Sequence, residues 1–162
     1  MWRVRHGSWG TVMIENLARG VALVLFVAIA ALAGKAGAAE LKLLSVEAMK
    51  PALQELVPAF ESSAKHKLKI DYATAADIEK KVSAAEEYDV VIVDKPITNK
   101  LIAEAKVAGG VVKSLAKQNE QVYDISTTNW TDEPLAAAAL VNFLSAPKAA
   151  DVYKAKGLQQ PG

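Results

Sequence analysis

From Ala39 onward the chain switches repeatedly between the strand and helix periods of hydrophobic residues. Residues 41–46 read Leu-Lys-Leu-Leu-Ser-Val, a short apolar strand. Residues 49–63 place Met49, Leu53, Leu56, Val57 and Phe60 at helical spacing. Pro51 fits the first turn of that helix, where its missing N–H costs no bond, whereas Pro58 falls in the interior and predicts a kink. Residues 67–72 alternate Leu68, Ile70 and Tyr72 with Lys67, Lys69 and Asp71, as a half-buried edge strand does. Residues 75–85 carry Ile78 and Val82 on one face of a second helix. Residues 88–93, Tyr-Asp-Val-Val-Ile-Val, form the near-continuous run expected of a central parallel strand covered on both sides. A third helix spans 97–107 and closes at Gly109-Gly110.

The order β-α-β-α-β-α with right-handed crossovers predicts an α/β fold: a three-layer parallel sheet flanked by helices. The expected strand order is 2-1-3, followed by a strand near Val122. Residues 111–115 read as another short strand, the polar residues 117–119 as a crossing point, and 122–126 as the next strand. Residues 127–133 form a loop in which Asp132 caps a helix opening at Pro134. That helix runs to about residue 144 with Leu135, Ala139, Leu140 and Phe143 on its apolar face. Ser145-Ala146-Pro147 breaks it, and a last helix runs to about residue 156, ended by Gly157.

The first 38 residues follow a different pattern, that of a secretory signal. Arg3, Arg5 and Arg19 precede an unbroken apolar run of 13 residues, 21–33, and Ala36-Gly37-Ala38 supplies a small-x-small cleavage pattern. The run is shorter than the roughly 20 residues of a spanning helix, so membrane contact is expected only through the uncleaved signal. The n-region from Met1 is long, and translation starting at Met13 would give a more ordinary one. Cleavage after Ala38 leaves 39–162 as one α/β domain of 124 residues. With no cysteine in the chain, export points to a bacterial periplasm.

Charge narrows the function. All three arginines lie within the first 19 residues, and from Ala39 onward 15 lysines face 17 acidic residues. A net charge of −2 without arginine argues against nucleic-acid binding. There is no Gly-rich phosphate loop, His-rich metal spacing or Gly-x-Ser-x-Gly elbow, and no cofactor is expected. His66, in a Lys-His-Lys segment, reads as a solvated turn residue. Without a visible nucleophile–base pair, the chain is not expected to be an enzyme.

In an open parallel sheet, ligands bind beyond the carboxyl ends of the strands. Three loops qualify: Val46-Glu47-Ala48, Ala73-Thr74-Ala75-Ala76 and Asp94-Lys95-Pro96. The first two feed helix N-termini, which favour anions. Glu47, Asp77 and Asp94 oppose that preference, and Lys95 is the one cation in the three loops. The three carboxylates read either as solvated helix-start charges or as a converging cluster for a hard cation.

Several stretches resemble a known family. They are Leu-Leu-Ser-Val-Glu-Ala-Met-Lys-Pro-Ala-Leu at 43–53, Glu-Leu-Val-Pro-Ala-Phe-Glu at 55–61, Tyr-Ala-Thr-Ala at 72–75 and Tyr-Asp-Val-Val-Ile at 88–92. Two more are Ala-Ala-Ala-Ala-Leu-Val-Asn-Phe-Leu-Ser-Ala-Pro at 136–147 and the tail at 149–158. In this order they resemble the molybdate-type solute-binding proteins of bacterial ABC transporters, of the type II periplasmic-binding fold. Members of that family hold an oxyanion between two lobes and deliver it to a permease. The resemblance implies that 39–115 and 122–162 are the two segments of lobe one and that the second lobe is missing. It places the ligand loops at Ser45, Val46, Glu47, Ala48, Thr74 and Ala75, with Asp94 on the third loop. Ungapped matching puts Ala48 and Ala75 where the family has serines, leaving Ser45 and Thr74 as the neighbouring hydroxyls. The resulting expectation is an exported receptor-like domain with oxyanion binding weakened or lost. Its partners would be a small oxyanion or other small solute, and an ABC permease or a second copy. The alternative is a protein-interaction or remnant domain that uses the exposed cleft face.

Overall fold

The computed structural model describes residues 37–161. The expected signal segment lies outside the described residues, save Gly37 and Ala38, which are exposed. β1 (Glu40–Val46) is followed by a 3-10 turn (Glu47–Met49), α1 (Lys50–Ala64), β2 (Lys67–Ala73) and α2 (Ala75–Ser83). Next come β3 (Val90–Asp94), α3 (Lys95–Ala103), a second 3-10 turn (Gly109–Val111), β4 (Lys113–Gln118) and β5 (Gln121–Thr127). α4 (Pro134–Leu144) and α5 (Pro147–Ala155) close the chain.

The five strands form one sheet in the order β2-β1-β3-β5-β4. β1 is parallel to both β2 and β3, as the crossover argument expects. β5 pairs with β3 in the antiparallel sense and β4 with β5 likewise, so the sheet is mixed rather than parallel throughout. The polar segment at 117–119 is not a crossing point. β4 turns back through Asn119 and Glu120 into β5 with Gln118 opposite Gln121, and the left-handed Asn119 (φ 55°) suits an asparagine in a two-residue turn.

All five residues of β3 are buried, whereas β2 alternates exposed and half-buried positions at its edge. α1 packs with α4 and α5, and α2 with α3, giving two helix groups that flank the sheet. Lys100 of α3 donates to Glu79 across the α2–α3 contact. Among the described residues no single helix is long and apolar enough to cross a membrane.

Four local expectations are corrected. α1 runs through Pro58 without interruption. Pro58 and Gln54 are both exposed, so the carbonyl deprived of its helical bond faces water, while Leu53, Leu56 and Phe60 anchor both halves of the helix. α3 begins two residues earlier than expected and ends well before the glycines, with Ala105 left-handed (φ 53°). Gly109 serves packing instead: a Cβ there would sit 3.1 Å from Ile102 Cγ2. Asp132 does not cap α4; Thr131 Oγ1 accepts from Glu133 N at 3.2 Å and donates to Asp89 Oδ1 at 2.6 Å. The buried stripe of α4 is Ala136, Ala137, Leu140, Val141 and Leu144, while Leu135 is 87% exposed. In so alanine-rich a helix every face reads as apolar, so period alone does not choose the inward one.

Leu140→Ala is expected to lower stability by about 2–5 kcal/mol and Leu135→Ala to leave it within about 0.5 kcal/mol, compared by urea unfolding.

Candidate functional site

The parallel register aligns the three candidate loops. Val46 stands opposite Ala73 at the ends of β1 and β2, and Ser45 opposite Ile92 of β3. β5 runs the other way, so its first residues meet the end of β3, with Asp94 opposite Tyr123. One sheet edge therefore carries the Glu47 turn, the starts of α2 and α3, and the β4–β5 turn.

The hydroxyls at this edge are already engaged. Ser45 is fully buried within β1, and its Oγ donates to the Val46 carbonyl at 3.2 Å. Thr74 caps α2: its Oγ1 accepts from Asp77 N at 3.2 Å and donates to Asp77 Oδ2 at 2.7 Å. The single Thr74 hydroxyl proton is thus committed to a carboxylate. Val46 is buried, and Ala48 and Ala75 are half-buried against the core. Glu47 is exposed, 3.8 Å from Lys50, whose ammonium lies 5.2 Å from the Tyr72 ring centroid. Burial, then the Glu47 charge, raises the Tyr72 phenol above its ordinary value.

Asp94 has a different environment. It is 8% exposed, ends β3 at the start of α3, makes no capping bond, and its Oδ1 has no hydrogen-bond partner. Burial raises its carboxyl above the ordinary carboxylate value, while the Gln121 side chain pulls the other way. Burial and the Asp94 charge in turn raise Tyr123.

Two open cavities flank these groups. One, of about 600 Å³, is bounded by Glu47, Tyr72, Thr74, Asp77 and the α2 lysines Lys80 and Lys81. The other, of about 620 Å³, lies between the start of α3 and the β4–β5 turn. The carboxylates do not converge: among the described residues no group of three His, Cys, Asp or Glu is placed to hold a metal ion. His66 is half-buried rather than a free turn residue, for its Nδ1 accepts from Ala39 N at 3.1 Å, at the start of β2. Gln121 and Val122 were not among the expected site residues. They lie far from Asp94 along the chain, and only the antiparallel β3–β5 pairing joins them.

Residues 41–119 match the model of a family described as bacterial extracellular solute-binding protein. This chain has the fold of a solute-binding-protein lobe. A solved structure of the substrate binding domain of an ABC transporter from Clostridium difficile, described as a molybdenum transporter, superposes with a TM-score of 0.71 at 10% identity. That superposition covers 77% of this chain and 100% of that one. The periplasmic molybdate-binding protein of Azotobacter vinelandii gives 0.69 at 12% identity, over 75% of this chain and 100% of that one. The sulfate-binding protein SubI of Mycobacterium tuberculosis gives 0.63 at 10% identity, over 74% and 86% respectively. No curated protein matches the sequence. The resemblance to solute-binding proteins is thus present in the sequence over 41–119, and the fold likeness to molybdate-binding ones extends over most of the described chain.

Within this solute-binding fold, the raised Asp94 carboxyl makes stability depend on pH in a definite sense. The folded state holds the proton more tightly than the unfolded chain does. The contribution of Asp94 is therefore fully present below the unfolded value near 3.8 and is lost as pH rises through the folded value. Asp94→Asn, which imitates the protonated form, should raise the urea midpoint at pH 7 and leave it unchanged near pH 3.

Proposed function

We propose that this chain is an exported, single-lobe relative of the oxyanion receptors of ABC transporters, with oxyanion binding weakened or lost. The observation that carries the reading is the Thr74 hydroxyl, turned onto Asp77 at the start of α2 rather than free to donate. Ser45 supports it, since its hydroxyl is buried and bonded to Val46 O, as do Ala48 and Ala75, which offer no hydroxyl. Glu47, Asp77 and Asp94 place negative charge where an anion would approach.

The magnitudes agree. A hydrogen bond to a charged group is worth roughly 1.5–3 kcal/mol, so the loss of three weakens a micromolar site by about a thousandfold or more. Residues 38–162 form one compact unit, which supports the single-lobe reading. A lone lobe presents one wall of a cleft and has no closed state for a permease to recognise. The reading is of a periplasmic binding protein, not an enzyme, reached through the signal-like N-terminus and the solute-binding fold. A second copy or another protein could supply the missing wall, and the apolar Pro96, Ile97 and Val122 beside the β4–β5 turn favour that alternative.

Calorimetric titration of the purified chain with molybdate, tungstate and sulfate, with light scattering on the same sample, tests this reading. The expected outcome is no saturable heat below millimolar oxyanion. Micromolar binding by a monomer would overturn it, and micromolar binding by a dimer would show a second copy closing the site.

A further inference from the structure

The two edges of the sheet are finished differently. At β4 the C-terminal tail lies alongside: Lys117 N donates to Gln159 O and Gln159 N to Lys117 O, both at 2.8 Å. β2, at the other edge, pairs with β1 alone. Lys67 N donates to Ala39 O at 2.7 Å, and the parallel register continues in step to Ala73. Peptide groups alternate in direction along a strand, so those of Lys67, Lys69 and Asp71 turn to β1 and those of Leu68, Ile70 and Tyr72 turn outward. Glu61 Oε1 accepts from Leu68 N at 2.9 Å, which fits the outward sense and satisfies that one group. Among the described residues the outward N–H groups of Ile70 and Tyr72 have no such partner.

Lysines on an edge strand ordinarily repel an incoming strand. β2 carries Lys67 and Lys69, but it also carries Asp71, and all three are exposed. Among the described residues no ion pair includes Lys69 or Asp71. Two antiparallel copies of β2 must match outward groups with outward groups, so their two-fold axis passes through a residue. With the axis at Ile70, Lys69 stands opposite the second copy's Asp71 on both sides of it. An axis at Leu68 sets Lys67 against Lys69, and an axis at Lys69 or Asp71 sets that residue against itself, so like charges face each other in all three. In the Ile70 register, Ile70 exchanges two backbone bonds with its counterpart. Tyr72 N–H donates to Leu68 O across the axis, while Glu61 keeps Leu68 N. The half-buried Leu68, Ile70 and Tyr72 share one face, and each gains a cross-strand neighbour.

We propose that β2 is a homodimerisation edge, at which two copies of this chain join antiparallel about a two-fold axis at Ile70 into one continuous sheet. The contact is small, so the dimer is a reversible one. The inference does not rest on the oxyanion reading, because strand pairing at β2 needs no ligand.

Sedimentation velocity of the purified chain, from micromolar to millimolar concentration, reads the dimer, and amide hydrogen exchange reads its location. The expected result is a monomer–dimer equilibrium in which exchange at Ile70 and Tyr72 slows as the dimer fills. Lys69→Asp and Asp71→Lys should each weaken the dimer about tenfold or more, and an equal mixture of the two should recover it, because every aspartate again meets a lysine. Circular dichroism and a urea midpoint check that each variant folds. Asp71→Lys also loses the bond from the Tyr88 hydroxyl at 3.0 Å. If that variant does not fold, Lys69→Asp and the exchange data still decide the matter. A monomer at every concentration, a dimer without slowed exchange at Ile70 and Tyr72, a dimer indifferent to Lys69→Asp, or a mixture of folded variants no tighter than either alone would overturn the proposal. Molybdate titrated into the same samples reports on the oxyanion reading separately.

Discussion

The pairing of β3 with β5 is the constraint on which the rest of the molecule depends. β3 is buried along its whole length, and its two neighbours run in opposite senses. On the β1 side, parallel pairing requires crossover helices and brings three strand ends to one edge. On the β5 side, antiparallel pairing turns a distant segment around so that its start, not its end, reaches that edge. Asp94 faces Tyr123 only for this reason, and the cavity beside it exists only because the β4–β5 turn stands there.

At the same edge, the fold and the polar groups it displays are fixed by different interactions. The sheet, the crossovers and the helix N-termini are set by apolar burial and backbone hydrogen bonds, none of which needs a ligand. Selectivity rests on a few hydroxyls and charges that those elements display. Thr74 and Asp77 satisfy each other, Ser45 is buried, and Glu47 is held toward Lys50. Such local bonds satisfy these groups within the chain, at no cost to the fold.

Much of the architecture was legible because each element carries its own period. The alternation in β2, the continuous run in β3 and the i, i+4 pair of α2 each place an element within a few residues. Of the Thr74–Asp77 cap, only the Asp77 charge at the start of α2 was legible. Three things were not. An apolar run carries no direction, so the strand near Val122 was expected in a parallel sheet although β5 is antiparallel to β3. An alanine-rich helix has no distinct polar face, so Leu135 was placed inward although it is exposed. A polar stretch at 117–119 suits a tight turn or a crossing equally, and only the Gln118–Gln121 register identifies the turn.

By itself the sequence determined the β-α-β-α-β-α order, the acidic character of the candidate loops and the absence of serines at Ala48 and Ala75. These are properties of single residues or of spacing within an element, where one side chain's polarity carries the information. Only the tertiary structure decided that Asp94 is buried without a partner for Oδ1, that Gln121 and Val122 border the same cavity, and that the three acids do not gather into a metal site. Those facts depend on pairings between segments far apart in the chain, which are settled by the burial of the whole sheet rather than by any local pattern.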